Sequence, residues 1–127
     1  MAKREYFDGA LAPLFKWAGC IPVNRDGFDA AAVRRAIKIL KRGGAVGIFP
    51  EGTRNRTDKL LLAFKPGAAA IAKRGGALIV PFAISGEYRK NGNLKILFGE
   101  PFSPESMSVE EATDKLYSAV SNLLESQ

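Results

Sequence analysis

The chain has 127 residues, of which 46% are hydrophobic and 25% charged, values that describe a globular domain and exclude a disordered or low-complexity polymer. That length fits one domain over residues 1–127, with roughly two thirds of the unfolded surface buried and no room for a second core. The net charge of +6 is uneven, with residues 1–65 holding 13 Lys/Arg against 6 Asp/Glu and residues 66–127 holding 6 against 7. The basic half suits a phosphate-bearing partner such as an anionic lipid surface, coenzyme A, an acidic carrier protein or nucleic acid, and it equally describes a solvated surface.

Residues 5–18 place Phe7, Ala10, Leu11, Leu14, Phe15 and Ala18 at helical spacing, with Pro13 expected to break or restart the helix. The N-terminus carries no long apolar segment of the kind a secretory signal needs. Cys20-Ile21-Pro22-Val23 reads as a short strand that leaves through Asn24-Arg25-Asp26-Gly27. A lone cysteine excludes an internal disulfide and fits a reducing compartment, and within an apolar run it reads as core. Asp29 is placed to cap a helix to about Arg42, with Val33, Ala36, Ile37 and Leu40 as its buried stripe and Gly43 as its stop. Arg34, Arg35, Lys38, Lys41 and Arg42 fall on the other face.

Ala45-Val46-Gly47-Ile48-Phe49 lies between Gly43-Gly44 and Pro50 and predicts a strand buried on both faces. A polar loop follows, and Pro66-Gly67 opens an alanine-rich helix that Gly75-Gly76 ends. Residues 77–84 predict a further buried strand, and 94–98 another, with Asn91-Gly92 as the turn of an antiparallel pair. Pro81 interrupts the longest apolar run, which is far shorter than the roughly 20 residues of a membrane-spanning helix. Ser108 with Glu111 forms a capping box for a last helix striped with Val109, Ala112, Leu116, Ala119, Val120 and Leu123. Alternating strands and helices predict an α/β fold with a mostly parallel mixed sheet flanked by helices.

The chemistry concentrates in Phe49-Pro50-Glu51-Gly52-Thr53-Arg54, at the exit of a predicted strand, where ligands of open α/β sheets gather. Gly52 lets backbone approach an anion, Thr53 offers a hydroxyl, and Arg54 offers a planar fork matched to two phosphate oxygens. Glu51 suits a hydroxyl donor or Arg54 itself, and a strand-to-loop turn with a Glu51 to Arg54 ion pair accounts for the same residues. Lys65 precedes a helix N-terminus, a setting for an anion or simply for a lysine lying along an apolar surface. No nucleotide-phosphate loop follows either glycine pair, and no nucleic-acid motif is present, so no nucleic-acid partner is expected.

Phe49 to Arg54 resembles the signature block of the glycerolipid acyltransferases, the family of 1-acylglycerol-3-phosphate acyltransferase. Gly19-Cys20-Ile21-Pro22-Val23-Asn24-Arg25 resembles its second block, which makes Arg25 a substrate-phosphate ligand by resemblance. Glu51, Gly52, Thr53, Arg54 and Lys65 become acceptor-binding residues in the same way, and Leu78-Ile79-Val80-Pro81 resembles a fourth block that serves the acyl chain or the core beside it. The family base is a histidine followed after four residues by an aspartate, and this sequence contains no histidine. Met1-Ala2-Lys3-Arg4-Glu5 resembles a segment internal to the family, so the expectation is the C-terminal portion of a glycerol-3-phosphate acyltransferase-like domain without its catalytic residues.

The resemblance implies transfer of an acyl group from acyl-coenzyme A or acyl carrier protein to lysophosphatidate, with no tightly bound cofactor and no metal. It also implies a peripheral place on an anionic membrane surface, on its cytoplasmic side. The alternative is a non-catalytic module that binds phosphate or anionic lipid.

Overall fold

The computed structural model describes residues 2–3, 21–23, 29–87 and 89–127, which fall into two compact units, Met1–Ile48 and Phe49–Gln127. The helix expected over 5–18, Cys20, and the 24–27 exit loop with Arg25 lie outside the described residues.

In the first unit, β1 (Ala2–Lys3) pairs in parallel with β2 (Pro22–Val23), in register Ala2 to Pro22 and Lys3 to Val23. Helix α1 (Ala30–Lys41) starts where Asp29 Oδ1 accepts the Ala32 N–H at 3.0 Å, satisfying one orphan amide. It ends in a Schellman motif: Gly44 N–H donates to Ile39 C=O and Gly43 N–H to Leu40 C=O, with Gly43 at φ +81°. Ala32, Ala36 and Ile37 are buried, while Arg34, Arg35, Lys38, Lys41 and Arg42 are exposed, as the amphipathic pattern requires.

The second unit contains α2 (Gly67–Gly75), β3 (Phe82–Ser85), β4 (Lys95–Phe98) and α3 (Val109–Glu125). Gly76 adopts φ +62° and closes α2 by a second Schellman motif, Ala77 N–H to Ala72 C=O. β3 and β4 are antiparallel, with Phe82 opposite Phe98 and Ile84 opposite Ile96. The turn residue Asn91 sits at φ +69°, and Gly92 N–H donates to Arg89 C=O. The pairing continues beyond the strands through Gly99 N–H to Pro81 C=O and the reciprocal pair between Ile79 and Phe102. Ser108 Oγ caps α3 by accepting the Glu111 N–H at 3.1 Å, and Glu110 and Glu111 favour the positive end of its dipole. The core joins Ala69 and Ala72 of α2, Ile79 and Ala83 of the hairpin, and Ala112, Leu116 and Val120 of α3.

Two sequence expectations are corrected. Residues 45–49 join neither described sheet, and Phe49 is 63% exposed, so this apolar run is not a strand buried on both faces. The 77–84 run is covered on one face only: Ile79, Pro81 and Ala83 point into the core while Leu78 and Val80 are exposed. The reason is topological. An antiparallel hairpin packed on a helix buries alternate residues, whereas the both-face burial expected of it belongs to parallel strands flanked by helices. The chain is α/β, and the described sheets are one parallel pair and one antiparallel pair; a mostly parallel mixed sheet is not shown among the described residues.

This one-sided packing separates neighbours in sequence by their cost of truncation. Ile79→Ala is expected to destabilise the second unit by about 2–4 kcal/mol, and Leu78→Ala by less than about 0.5 kcal/mol, in urea unfolding. Equal effects would contradict the facing described.

Candidate functional site

The segment 49–65 forms a long loop whose two limbs are tied together at the base. Phe49-Pro50-Glu51-Gly52 closes as a β-turn, Gly52 N–H donating to Phe49 C=O at 3.1 Å, with Pro and Gly at the turn positions they favour. Gly52 holds φ +70°, a conformation that costs a side-chain-bearing residue about 1–2 kcal/mol. Two hydrogen bonds then join the limbs: Lys65 N–H donates to Pro50 C=O at 2.8 Å, and Leu62 N–H donates to Glu51 Oε2 at 2.8 Å.

Aromatic contacts fix both ends. Phe49 meets Phe82 of β3 edge to face at 5.7 Å between ring centroids, and Phe64 meets Tyr117 of α3 in the same manner at 5.0 Å. The tip is held by Asn55, whose Oδ1 accepts from Thr57 N–H and Thr57 Oγ1, while its Nδ2 donates to Lys59 C=O. Sequence reasoning missed this tip network and the Leu62 amide. Asn55 and Thr57 in a polar run carried the signal, since both residue types hydrogen-bond local backbone in turns.

Lys65 runs over Gly52. A methyl group built on Gly52 would lie 3.0 Å from Lys65 Nζ and 3.1 Å from its Cδ and Cε. The ammonium therefore sits against the backbone that leads into Thr53 and Arg54, both exposed. Immediately after Lys65, α2 follows its N-cap Pro66, which makes no side-chain capping hydrogen bond to the first-turn amides. An exposed hydroxyl, a guanidinium, an ammonium and a helix N-terminus within one short stretch suit an anion. Glu51 does not pair with Arg54; the ion pair among the described residues joins Glu87 and Arg89. Thus Glu51, Gly52 and Lys65 are brought together. Ile79 and Pro81 belong to the core, Leu78 and Val80 to the open face of the hairpin, and Arg25 lies outside the described residues.

With this geometry in place, comparison with known proteins decides the family: the family model described as Acyltransferase matches residues 1–85. The chain belongs to the acyltransferase family. It is 39% identical over 107 residues to the 1-acyl-sn-glycerol-3-phosphate acyltransferase of Bacillus subtilis, covering 80% of this chain and 52% of that protein. It is 29% identical over 124 residues to the chloroplastic 1-acyl-sn-glycerol-3-phosphate acyltransferase LPAT1 of Arabidopsis thaliana, covering 84% of this chain and 35% of that protein. The Streptococcus pneumoniae protein named 1-acyl-sn-glycerol-3-phosphate acyltransferase is 27% identical, covering all of this chain and 48% of that protein. The chain spans about half the length of these bacterial relatives. No solved structure matches it. The matched region of this acyltransferase chain contains the whole 49–65 loop and the start of the hairpin. No helix among the described residues is long and apolar enough to cross a membrane.

Gly52→Ala tests the fit of Lys65 on the loop. The flexible end of Lys65 can move aside, so the cost is backbone strain, about 1 kcal/mol net in urea unfolding after the loss of unfolded-state entropy. Affinity for inorganic phosphate is expected to fall with it, in isothermal titration.

Proposed function

We propose that this chain carries the acceptor-binding part of an acyltransferase domain of phospholipid synthesis, with lysophosphatidate as acceptor and an acyl-coenzyme A or acyl carrier protein thioester as donor. The observation that supports it most directly is the Lys65 ammonium lying over Gly52 at the entrance to Thr53-Arg54, in a chain of the acyltransferase family.

In the proposed reaction the acceptor hydroxyl loses its proton to a base and its oxygen attacks the thioester carbonyl, after which the carbon–sulfur bond breaks and the thiol leaves. The ester and the free thiol are the products. No tightly bound cofactor enters this chemistry. Arg54 and Lys65 would neutralise the acceptor phosphate, and Thr53 would donate to one of its oxygens. Arg25 is proposed as a further phosphate ligand on the strength of its sequence block. These roles are positioning roles, which act by holding the hydroxyl where the base and the carbonyl meet.

A base working in this way contributes about 10²–10⁴-fold, and the family resemblance gives that task to a histidine. The sequence holds none. Phosphate binding and turnover are therefore separable in this chain, and the substrate's own location implies a peripheral position at the cytoplasmic face of an anionic membrane.

Isothermal titration with glycerol 3-phosphate tests the reading. Arg54→Ala and Arg25→Ala are each expected to weaken binding by about 1.5–3 kcal/mol, the scale of hydrogen bonds to charged groups. Consumption of an acyl thioester in the presence of lysophosphatidate is expected to stay at trace level. Unchanged affinity in both variants would remove the arginines from the site, and turnover like that of the full-length relatives would defeat the assignment of the base.

A further inference from the structure

Within the block Phe49 to Arg54, Glu51 is the one residue whose charge opposes the proposed ligand. A carboxylate beside a phosphate dianion repels it, and a site assembled from Thr53, Arg54, Lys65 and a helix N-terminus gains nothing electrostatically from an added anion. The geometry supplies another task for it. Glu51 Oε2 is already engaged by the Leu62 N–H at 2.8 Å, in a half-buried setting, across eleven residues of chain. Pro50 C=O is engaged in the same direction by the Lys65 N–H. Together these two bonds run from adjacent residues of one limb to residues three apart on the other, which fixes both the spacing and the rotation of 62–65 against 50–52. Lys65 is the last residue of that limb, and its side chain covers Gly52.

We propose that Glu51 is a positioning residue that clasps the Leu62 amide and thereby sets the Lys65 ammonium over Gly52, and that it does not touch the acceptor. The inference rests on the phosphate-binding reading of this loop. Its physical content is that the loop needs an acceptor atom at Glu51 Oε2, while the negative charge is incidental. An amide oxygen in the same place would serve.

The test uses the whole chain and two ligands, inorganic phosphate and glycerol 3-phosphate, titrated against three variants while amide hydrogen exchange is followed at Leu62. Glu51→Ala removes the acceptor and is expected to weaken both ligands by the same factor, about tenfold, and to release protection of the Leu62 amide. Glu51→Gln keeps an acceptor oxygen and is expected to retain Leu62 protection and to bind both ligands within about threefold of the parent. Leu62→Pro removes the donor instead and is expected to reproduce the weakened binding of both ligands seen in Glu51→Ala. A loss in Glu51→Ala confined to glycerol 3-phosphate would place the carboxylate on the glycerol and overturn the proposal, leaving the phosphate site standing. Binding of both ligands unchanged in Glu51→Ala, or a Leu62 amide unprotected in the parent, would also overturn it. Failure of the parent chain to bind either ligand would instead defeat the phosphate-binding reading on which it rests.

Discussion

The tie between the two limbs of the 49–65 loop is the constraint from which the rest of the site follows. A loop of this length has many conformations, and closing it carries an entropic cost that grows only slowly with its length. That cost is met here at a few points: the turn at Phe49 to Gly52, the bonds from Lys65 and Leu62 to Pro50 and Glu51, and the aromatic contacts of Phe49 and Phe64. Because the tied residues are those flanking the site, the exposed groups between them inherit a fixed origin. Thr53 and Arg54 are free to meet a ligand, while the backbone that carries them is held.

The anchors of this loop come from opposite faces of the second unit. Phe64 rests on α3 through Tyr117, the helix that covers the inner face of the hairpin with Ala112, Leu116 and Val120. Phe49 rests on Phe82, which stacks in turn toward Phe98 at 6.2 Å on the outer face. The loop is thus anchored on β3 at one end and on α3 at the other, and a shift of β3 against α3 would pull its two ends apart. The packing of Ile79 and Ala83 against Ala112, Leu116 and Val120 resists such a shift and so stabilises the site from a distance.

Much of this was legible in the sequence where local rules decide the outcome. Asp29, Gly43, Gly76 and Ser108 act as the caps their residue types predict, and the stripes of α1 and α3 face inward, because capping and 3.6-residue periodicity depend on a few neighbouring residues. The Asn91-Gly92 turn and the antiparallel pair it joins were readable for the same reason. The failures involve partners distant in sequence. Apolar runs at 45–49 and 77–84 predict strands but do not say which faces are covered, and a continuous run and a half-buried one differ only by what packs against them. Likewise, the block around Glu51 advertised a phosphate site, but its carboxylate's bond to an amide eleven residues away left no trace in the side chain of Leu62, since any residue except proline supplies that donor.

That last point bears on how such a block divides its labour. Residues chosen for a side chain that faces the ligand and residues chosen to hold the loop are indistinguishable in a short motif, because both are fixed by chemistry. The structure separates them by burial and by partners. Arg54 and Thr53 are exposed, whereas Glu51 is half-buried with its oxygen already bonded to backbone. Gly52 belongs to the second group, since its positive φ strains any residue with a side chain, while the flexible Lys65 chain above it could move aside. On the reading proposed above, such a block would combine both groups, and only part of it would meet the substrate. In the reaction proposed above, where a base must find a hydroxyl of an anchored acceptor, an error of about 1 Å in the anchor would be enough to lose much of the rate, so residues that hold the loop would act through geometry alone.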